Sequence, residues 1–250
     1  MILLLDLGNS KVKLGFWGDK EFGFLGTTNY DGSIKPLVEQ AIKKIPDYFH
    51  RAVGVSVTTA GNQHLIEQTV KDFLGLSVEW LSPVGEACGV VNGYDNPCQL
   101  GADRWAALIA ARELAPNGAC ILDVGTAITV DGLDEKGVHL GGVIFPGRDA
   151  LLAAMCSSVA GVNIENQCEI AKLPAFNTKD AVVGGVSYGI TEAVKGLCER
   201  MVAICPQGSR RLVTGGGGRA MIAALSGDSW EYREGLVMEG VARMARGLPS

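Results

Sequence analysis

The sequence predicts an α/β protein built from two similar halves that face one another across a cleft. Three observations carry this. Strand-like and helix-like segments alternate along the whole chain. A strand ending in Asp and running into a Gly turn occurs twice, as LLLDLGNSKVKLG over 3–15 and as CILDVGTAITVDG over 120–132. Later in each half a strand runs into a turn of small residues, VSVTTAGN over 55–62 and LVTGGGGR over 212–219. Self-similarity of this kind marks an internal repeat. It divides the chain into residues 1–117 and 118–250.

The first apolar run, residues 1–6, reads as a strand, and 11–17 alternates as its hairpin partner across Leu7-Gly8-Asn9-Ser10. A third strand falls near 21–27. Residues 36–49 carry helical spacing through Leu37, Ala41, Ile42 and Ile45. The β-branched run 52–57 is a strand, and Asn62 is placed to cap a helix reaching Leu74. Residues 78–81 form a short strand, and 83–100, rich in Gly, Pro and Asn, reads as a functional loop. A helix over 102–114 ends before Pro116 and Gly118. The second half gives strands at 120–123, 128–133 and 138–144, then an irregular stretch to about Pro174. A long helix over 178–204 follows, with a bend expected near Gly184-Gly185 and Gly189. A strand at 211–214, a helix to Leu225, a strand at 230–232 and a helix over 234–246 complete the reading.

Bulk properties bound the function. The chain has 250 residues, 47% of them hydrophobic and 20% charged, enough for a real core. The net charge is −5, and no run of basic residues exceeds two, which argues against a nucleic-acid partner. The N-terminal apolar run meets Asp6 at once and lacks a basic leader, so it is expected to be a buried strand rather than a signal. No uncharged apolar stretch is long enough to span a bilayer. The seven cysteines include no C-x-x-C pair, which suggests a reduced, cytoplasmic protein without zinc.

The chemistry concentrates in the turns. A tight Gly turn exposes successive N–H groups to phosphates and lets the backbone approach them. Asn9, Ser10, Thr126 and Thr129 add side-chain donors, and an Asp at the strand end can hold a hydrated Mg²⁺. One such turn is an ordinary hairpin; two at matching places point to ATP. A P-loop and a dinucleotide-binding glycine fingerprint are both missing. Gly101-Ala102-Asp103-Arg104 opens a helix, whose N-terminus attracts anions. There Asp103 is placed to accept a substrate hydroxyl proton and Arg104 to hold a carboxylate or phosphate, with Tyr94 lining the pocket. Four glycines after Thr214 would let adenine and ribose lie against the backbone. His50, His64 and His139 have no metal-like spacing and read as surface or structural. Trp17, Trp80, Trp105 and Trp230 read as packing residues.

Taken together, these motifs resemble the type III pantothenate kinases of the acetate and sugar kinase/Hsc70/actin superfamily. The resemblance rests on Asp6-Leu7-Gly8-Asn9-Ser10, where Thr is more usual than Ser at the last position. It continues through Tyr94-Asp95-Asn96-Pro97, Leu100 to Arg104, Asp123 to Asp131, Gly141 to Gly147, Asn177-Thr178 and Thr214-Gly215-Gly216. It implies two ribonuclease H-like halves in an actin-like ATPase fold. It also implies ATP-dependent phosphorylation of pantothenate, the first step of coenzyme A synthesis. ATP would be contacted by Asp6, Leu7, Gly8, Asn9, Ser10, Lys11, Val12, Lys13 and Thr126, with Gly215 and Gly216 beside it, and Asp6 would face the Mg²⁺ it carries. Pantothenate would be contacted by Tyr94, Gly101, Ala102, Asp103, Arg104 and Thr178, the last from the neighbouring subunit of a homodimer. Asp103 would be the proton acceptor, and Asp123 the ligand of a monovalent cation, K⁺ or NH₄⁺.

Three rivals share the fold: a kinase for another small hydroxyl substrate, an accessory regulatory protein, and an ATP-switched module that transfers nothing. The candidate base and the substrate loop favour the kinase.

Overall fold

The computed structural model describes residues 1–18, 21–30, 34–44, 49–158, 173–225 and 229–247, with 40–44 as backbone only. The first half contains β1 (Ile2–Leu7), β2 (Lys11–Gly18), β3 (Glu21–Asn29), α1 (Ile34–Lys44), β4 (Arg51–Ser56), α2 (Ala60–Leu74) and β5 (Val78–Trp80). A small hairpin, β6 (Glu86–Ala87) and β7 (Val90–Val91), precedes a 3₁₀ turn at Pro97–Gln99 and α3 (Ala102–Leu114). The second half contains β8 (Ala119–Val124), β9 (Ala127–Leu133), β10 (His139–Pro146), α4 (Arg148–Ser158) and α5 (Thr178–Ile204). It ends with β11 (Arg210–Thr214), α6 (Gly218–Ala224), β12 (Trp230–Tyr232) and α7 (Leu236–Gly247).

The repeat is visible in the strand order. One sheet runs β3-β2-β1-β4-β5 and the other β10-β9-β8-β11-β12, the same order element for element. In each, three antiparallel strands are followed by two parallel ones. This is the expected pair of ribonuclease H-like sheets.

Side-chain alternation then decides what each sheet face meets. Leu3, Leu5 and Leu7 of β1 pack into a cluster with Ile34 of α1 and Ile66 and Val70 of α2. Ile2 and Leu4 point the other way, into a central cluster built on α3 and α7. β8 behaves alike: Cys120, Leu122 and Val124 join Val183, Ile190 and Val194 of α5, whereas Ala119 and Ile121 join the central cluster. Both sheets therefore lay one face on the α3–α7 pair. Trp105 and Leu108 fill that layer and are almost fully buried. α7, last in the chain, packs back on β1 and β4 of the first sheet.

Several local expectations need correction. Thr59, not Asn62, caps α2: its side chain accepts the Asn62 N–H, and Asn62 Nδ2 donates instead to Thr58 Oγ1 at 3.0 Å. The stretch after Gly147 is not irregular at its start, because Arg148–Ser158 is helical, as its run of Ala and Leu favours. The remainder to residue 172, with Cys168, lies outside the described residues, as do 45–48 of the expected first helix. The loop at 83–100 contains the β6–β7 hairpin, and Asn96 caps its 3₁₀ turn by accepting the Cys98 N–H. The other six cysteines are free thiols. Among the described residues no helix is long and apolar enough to cross a membrane.

Candidate active site

The alternation that builds the core also aims the acids. On β1 the residues facing α3 are Ile2 and Leu4, so the next on that face is Asp6. On β8 they are Ala119 and Ile121, so the next is Asp123. Both aspartates thus emerge at the ends of their strands on the inward faces, beside the N-terminus of α3, where Asp103 sits in the first turn. β2 pairs Lys13 directly with Asp6, and side chains opposite one another share a face. Lys13 Nζ lies 2.7 Å from Asp6 Oδ2, and Asp6 is 3% exposed. Burial disfavours the Lys13 ammonium, but the Asp6, Asp123 and Asp103 charges outweigh it and raise its pKa. One ammonium therefore serves three carboxylates.

The acids respond to each other. Burial and the Asp6 charge raise the Asp103 pKa, opposed by the Arg104 N–H and by the Arg104 and Lys13 charges. Burial pushes Asp123 up to about 6; Lys13 pulls it down, while Asp103, Asp6 and Asp131 push it further up. Asp103 Oδ1 accepts its own helix's Arg104 N–H at 2.8 Å, which orients the carboxylate at the helix start.

The turns themselves are braced. Gly8 N–H donates to Lys11 O, and Tyr30 Oη donates to Gly8 O at 2.7 Å. In the second half Gly125 N–H donates to Ala127 O and Gly147 N–H to Thr126 O. Asn9, Ser10, Lys11, Gly125 and Thr126 are exposed at the turn tips, available to a ligand. The run at 215–218 folds over β8: Gly217 N–H donates to Val124 O at 3.0 Å. Gly215 has φ +86°, and a Cβ there would strike Asp123 Oδ1, so only glycine lets this backbone lie against that carboxylate.

Arg104 is held more firmly than the sequence suggests. It is buried, and donates to both oxygens of Asp131, Nη2 to Oδ1 at 2.6 Å and Nε to Oδ2 at 2.9 Å. Its Nη1 donates to Tyr94 Oη at 2.8 Å. Tyr94 is in turn fixed by Asn92, whose side chain accepts the Tyr94 N–H and donates to Val84 O and Pro97 O. Thr178 opens α5 on an exposed stretch capped by Asn177.

The structure thus brings Asp6, Lys13, Asp103 and Asp123 within electrostatic reach of one another, with Arg104 next to Asp103 on α3 and Tyr94, on the preceding loop, bonded to Arg104. Sequence reading placed Lys13 only within the ATP stretch and missed its central charge. The loop is one residue longer than the Leu7–Ser10 turn suggests: Gly8–Lys11 closes the hairpin, and that length is what puts Lys13 opposite Asp6. Asp131 was also legible in principle, because an acid inside a buried strand requires a partner. His139, expected at the surface or in a structural role, is fully buried against Asp131, while His50 and His64 are exposed.

The profile of the type III pantothenate kinase family matches residues 2–200. A type III pantothenate kinase from Halorhodospira halophila is 40% identical over 98% of both chains. The chain belongs to the type III pantothenate kinase family. Among solved structures, a Baf family protein from Campylobacter jejuni aligns over 98% of both chains, with TM-score 0.57 and 22% identity. The activator of 2-hydroxyisocaproyl-CoA dehydratase from Clostridium difficile, solved with bound ADPNP, covers the whole of this chain, and 98% of its own is matched, at TM-score 0.56 and 14% identity. At such identities these two show the shared fold, that of the actin-like ATPases and sugar kinases.

The aspartate cluster also bears on cations. Among the described residues, no three or more His, Cys, Asp or Glu side chains are grouped to hold a metal ion. Asp123 Oδ1 and the Val124 carbonyl both lie against the Gly215 backbone.

Proposed function

We propose that Asp103 is the proton acceptor in the ATP-dependent phosphorylation of pantothenate, the reaction of this family and the first step of coenzyme A synthesis. The observation that carries the proposal is its position. Asp103 lies at a helix N-terminus between the two hairpin turns, within the electrostatic reach of Lys13 and Asp6. The turn at 6–13 and Thr126 would bind the ATP phosphates through N–H and hydroxyl donors, with Gly215 and Gly216 under the nucleoside. Asp6 would face the Mg²⁺ that accompanies ATP, and Asp123 a K⁺ or NH₄⁺ ion. These ions neutralise charge on the phosphates as the γ-phosphoryl group transfers. Lys13 adds a fixed positive charge from the protein side. Asp103 takes the hydroxyl proton as the oxygen attacks, a contribution on the order of 10²–10⁴ in rate. Tyr94, Gly101, Ala102 and Arg104 would orient pantothenate, Arg104 and the α3 N-terminus toward its carboxylate.

Asp103→Asn tests this in a coupled ADP-release assay with pantothenate. The expected result is a kcat lowered by roughly 10²–10⁴ with ATP binding retained. Near-normal turnover would remove Asp103 from the role. A substrate panel at fixed ATP separates pantothenate from other small hydroxyl substrates.

A homodimer completes the proposal. Thr178 is exposed, and so are Leu173 and Phe176 just before it and Tyr188 further along α5, with Phe176 93% exposed. On α5 a Cβ at Gly185 or Gly189 would meet nothing within 4 Å, which leaves an open helix face for a second copy. If Thr178 serves the neighbouring site, mixing inactive Asp103→Asn and Thr178→Ala proteins restores activity, since a mixed dimer contains one intact site. No recovery after confirmed subunit exchange would argue that Thr178 acts within its own chain. We place the working division at 1–117 and 118–250 and the protein in the cytoplasm, where its substrates are made.

A further inference from the structure

Four side chains close a ring behind the substrate loop. His139 Nε2 lies 2.9 Å from Asp131 Oδ1. Asp131 accepts two hydrogen bonds from Arg104, and Arg104 donates a third to Tyr94 Oη. The Tyr94 ring then stacks on the His139 ring, with centroids 5.7 Å apart and planes 16° from parallel. His139 is the member that touches both arms. An ionised carboxylate only accepts hydrogen bonds, so Nε2 must be the protonated nitrogen. Nδ1 is buried without a hydrogen-bond partner.

A defect in the sheet makes this ring possible. β10 pairs with β9 as His139↔Leu133 and then Gly142↔Asp131, with one extra residue between. Without that bulge, His139 and Gly142, three positions apart, would face opposite ways. With it, His139 joins the face of Leu133 and Asp131. Gly141 takes φ +92° within the bulge, and a side chain at Gly142 would collide with Asp131 Oδ1. A side chain at Gly93 would likewise collide with the His139 carbonyl, so the loop bearing Tyr94 rests directly on this histidine.

We infer that His139 is a positioning residue for pantothenate: it holds Asp131 and Tyr94 so that the free N–H groups of Arg104 point at the substrate carboxylate. The inference rests on the reading of Arg104 as the carboxylate anchor. Three guanidinium N–H groups are committed within the ring; the others keep a fixed direction only while Asp131 and Tyr94 are themselves fixed. Loosening His139 would therefore weaken recognition of one substrate group and leave the ATP side untouched.

The test compares pantothenate with pantothenol, the alcohol that replaces its carboxylate, in wild type, His139→Phe, His139→Gln and Arg104→Gln. His139→Phe keeps a ring under Tyr94 and removes the donor to Asp131; His139→Gln keeps a donor and removes the ring. For both, the expected result is a KM for pantothenate raised roughly tenfold, a smaller change in kcat, an unchanged KM for ATP, and a reduced preference for pantothenate over pantothenol. A purely structural role would instead lower Tm and depress turnover of both substrates alike. If Arg104→Gln loses the preference while both soluble His139 variants keep it, the inference is overturned and the Arg104 reading stands. If Arg104→Gln also keeps it, the anchor reading itself fails. Should His139→Phe not fold, His139→Gln decides by the same measurements.

Discussion

Asp6 and Asp123 occupy the same position in two copies of one strand order, yet their surroundings differ. Opposite Asp6, β2 supplies Lys13; opposite Asp123, β9 supplies Thr129. On the parallel side Asp6 has Val55 and Asp123 has Thr214. The first half thus carries its own counter-cation, while the second surrounds its acid with hydroxyls and backbone. The consequence is electrostatic. Asp6 is ion-paired at 2.7 Å, whereas Asp123 has its pKa pushed up to about 6 by burial and neighbouring acids despite the Lys13 charge. A repeated scaffold has been divided into a turn whose acid is ion-paired within its own hairpin and a turn for whose acid we propose a cation brought in from solution.

The largest break in this comparison is Lys13→Met. It removes the one ammonium shared by Asp6, Asp103 and Asp123, and kcat/KM for ATP is expected to fall on the order of 10²–10³. Steady-state kinetics at saturating Mg²⁺ measure it; a loss below tenfold would mean the site does not depend on that charge. Thr129→Lys sharpens the contrast by giving the second half the residue of the first. A lysine opposite Asp123 should blunt stimulation by K⁺ severalfold, read as the ratio of rates with and without the ion. Unaltered stimulation would place the cation elsewhere.

The smallest effect is on stability. Because the folded pKa of Asp123 is raised from 3.8 to about 6, stability falls as pH rises between those two values, and the cost is absent only below the unfolded value. A cation bound to the ionised form offsets the cost. K⁺ should therefore raise Tm by a few degrees at pH about 7.5 and by less at pH about 5, measured by thermal melting with Na⁺ as control. The same proton competes with K⁺ for Asp123, so the K⁺ concentration needed for half-activation should increase as pH falls through about 6.

Much of this asymmetry could be read from the chain. The apolar runs at 1–6 and 120–123, each closing on an acid, and the hairpin turns that follow mark both sheets, and the period of two along a strand puts Asp6 with Ile2 and Leu4 and Asp123 with Ile121. Register needed the true loop lengths: a four-residue loop, Gly8–Lys11, puts Lys13 opposite Asp6, and a three-residue loop, Gly125–Ala127, puts Thr129 opposite Asp123. The ring around Arg104 was harder. Asp131 stands in a strand pattern, but its partners come from a loop, a helix and a neighbouring strand. The bulge between His139 and Gly142 reverses the face of His139, and simple alternation cannot show that. α4 was missed because Pro146-Gly147 reads as a break, although Arg148–Ser158 beyond it has good helix-forming residues.

The central claim is that Asp123 works with a monovalent cation while Asp6 does not need one. The most direct measurement is the initial rate of ADP release with pantothenate and Mg²⁺·ATP as K⁺ replaces Na⁺ at constant ionic strength, in wild type and Asp123→Asn. The account predicts that K⁺ strongly stimulates wild type and that Asp123→Asn is slow and indifferent to the ion. Equal wild-type rates in Na⁺ and K⁺, or full K⁺ stimulation retained in Asp123→Asn, would contradict it.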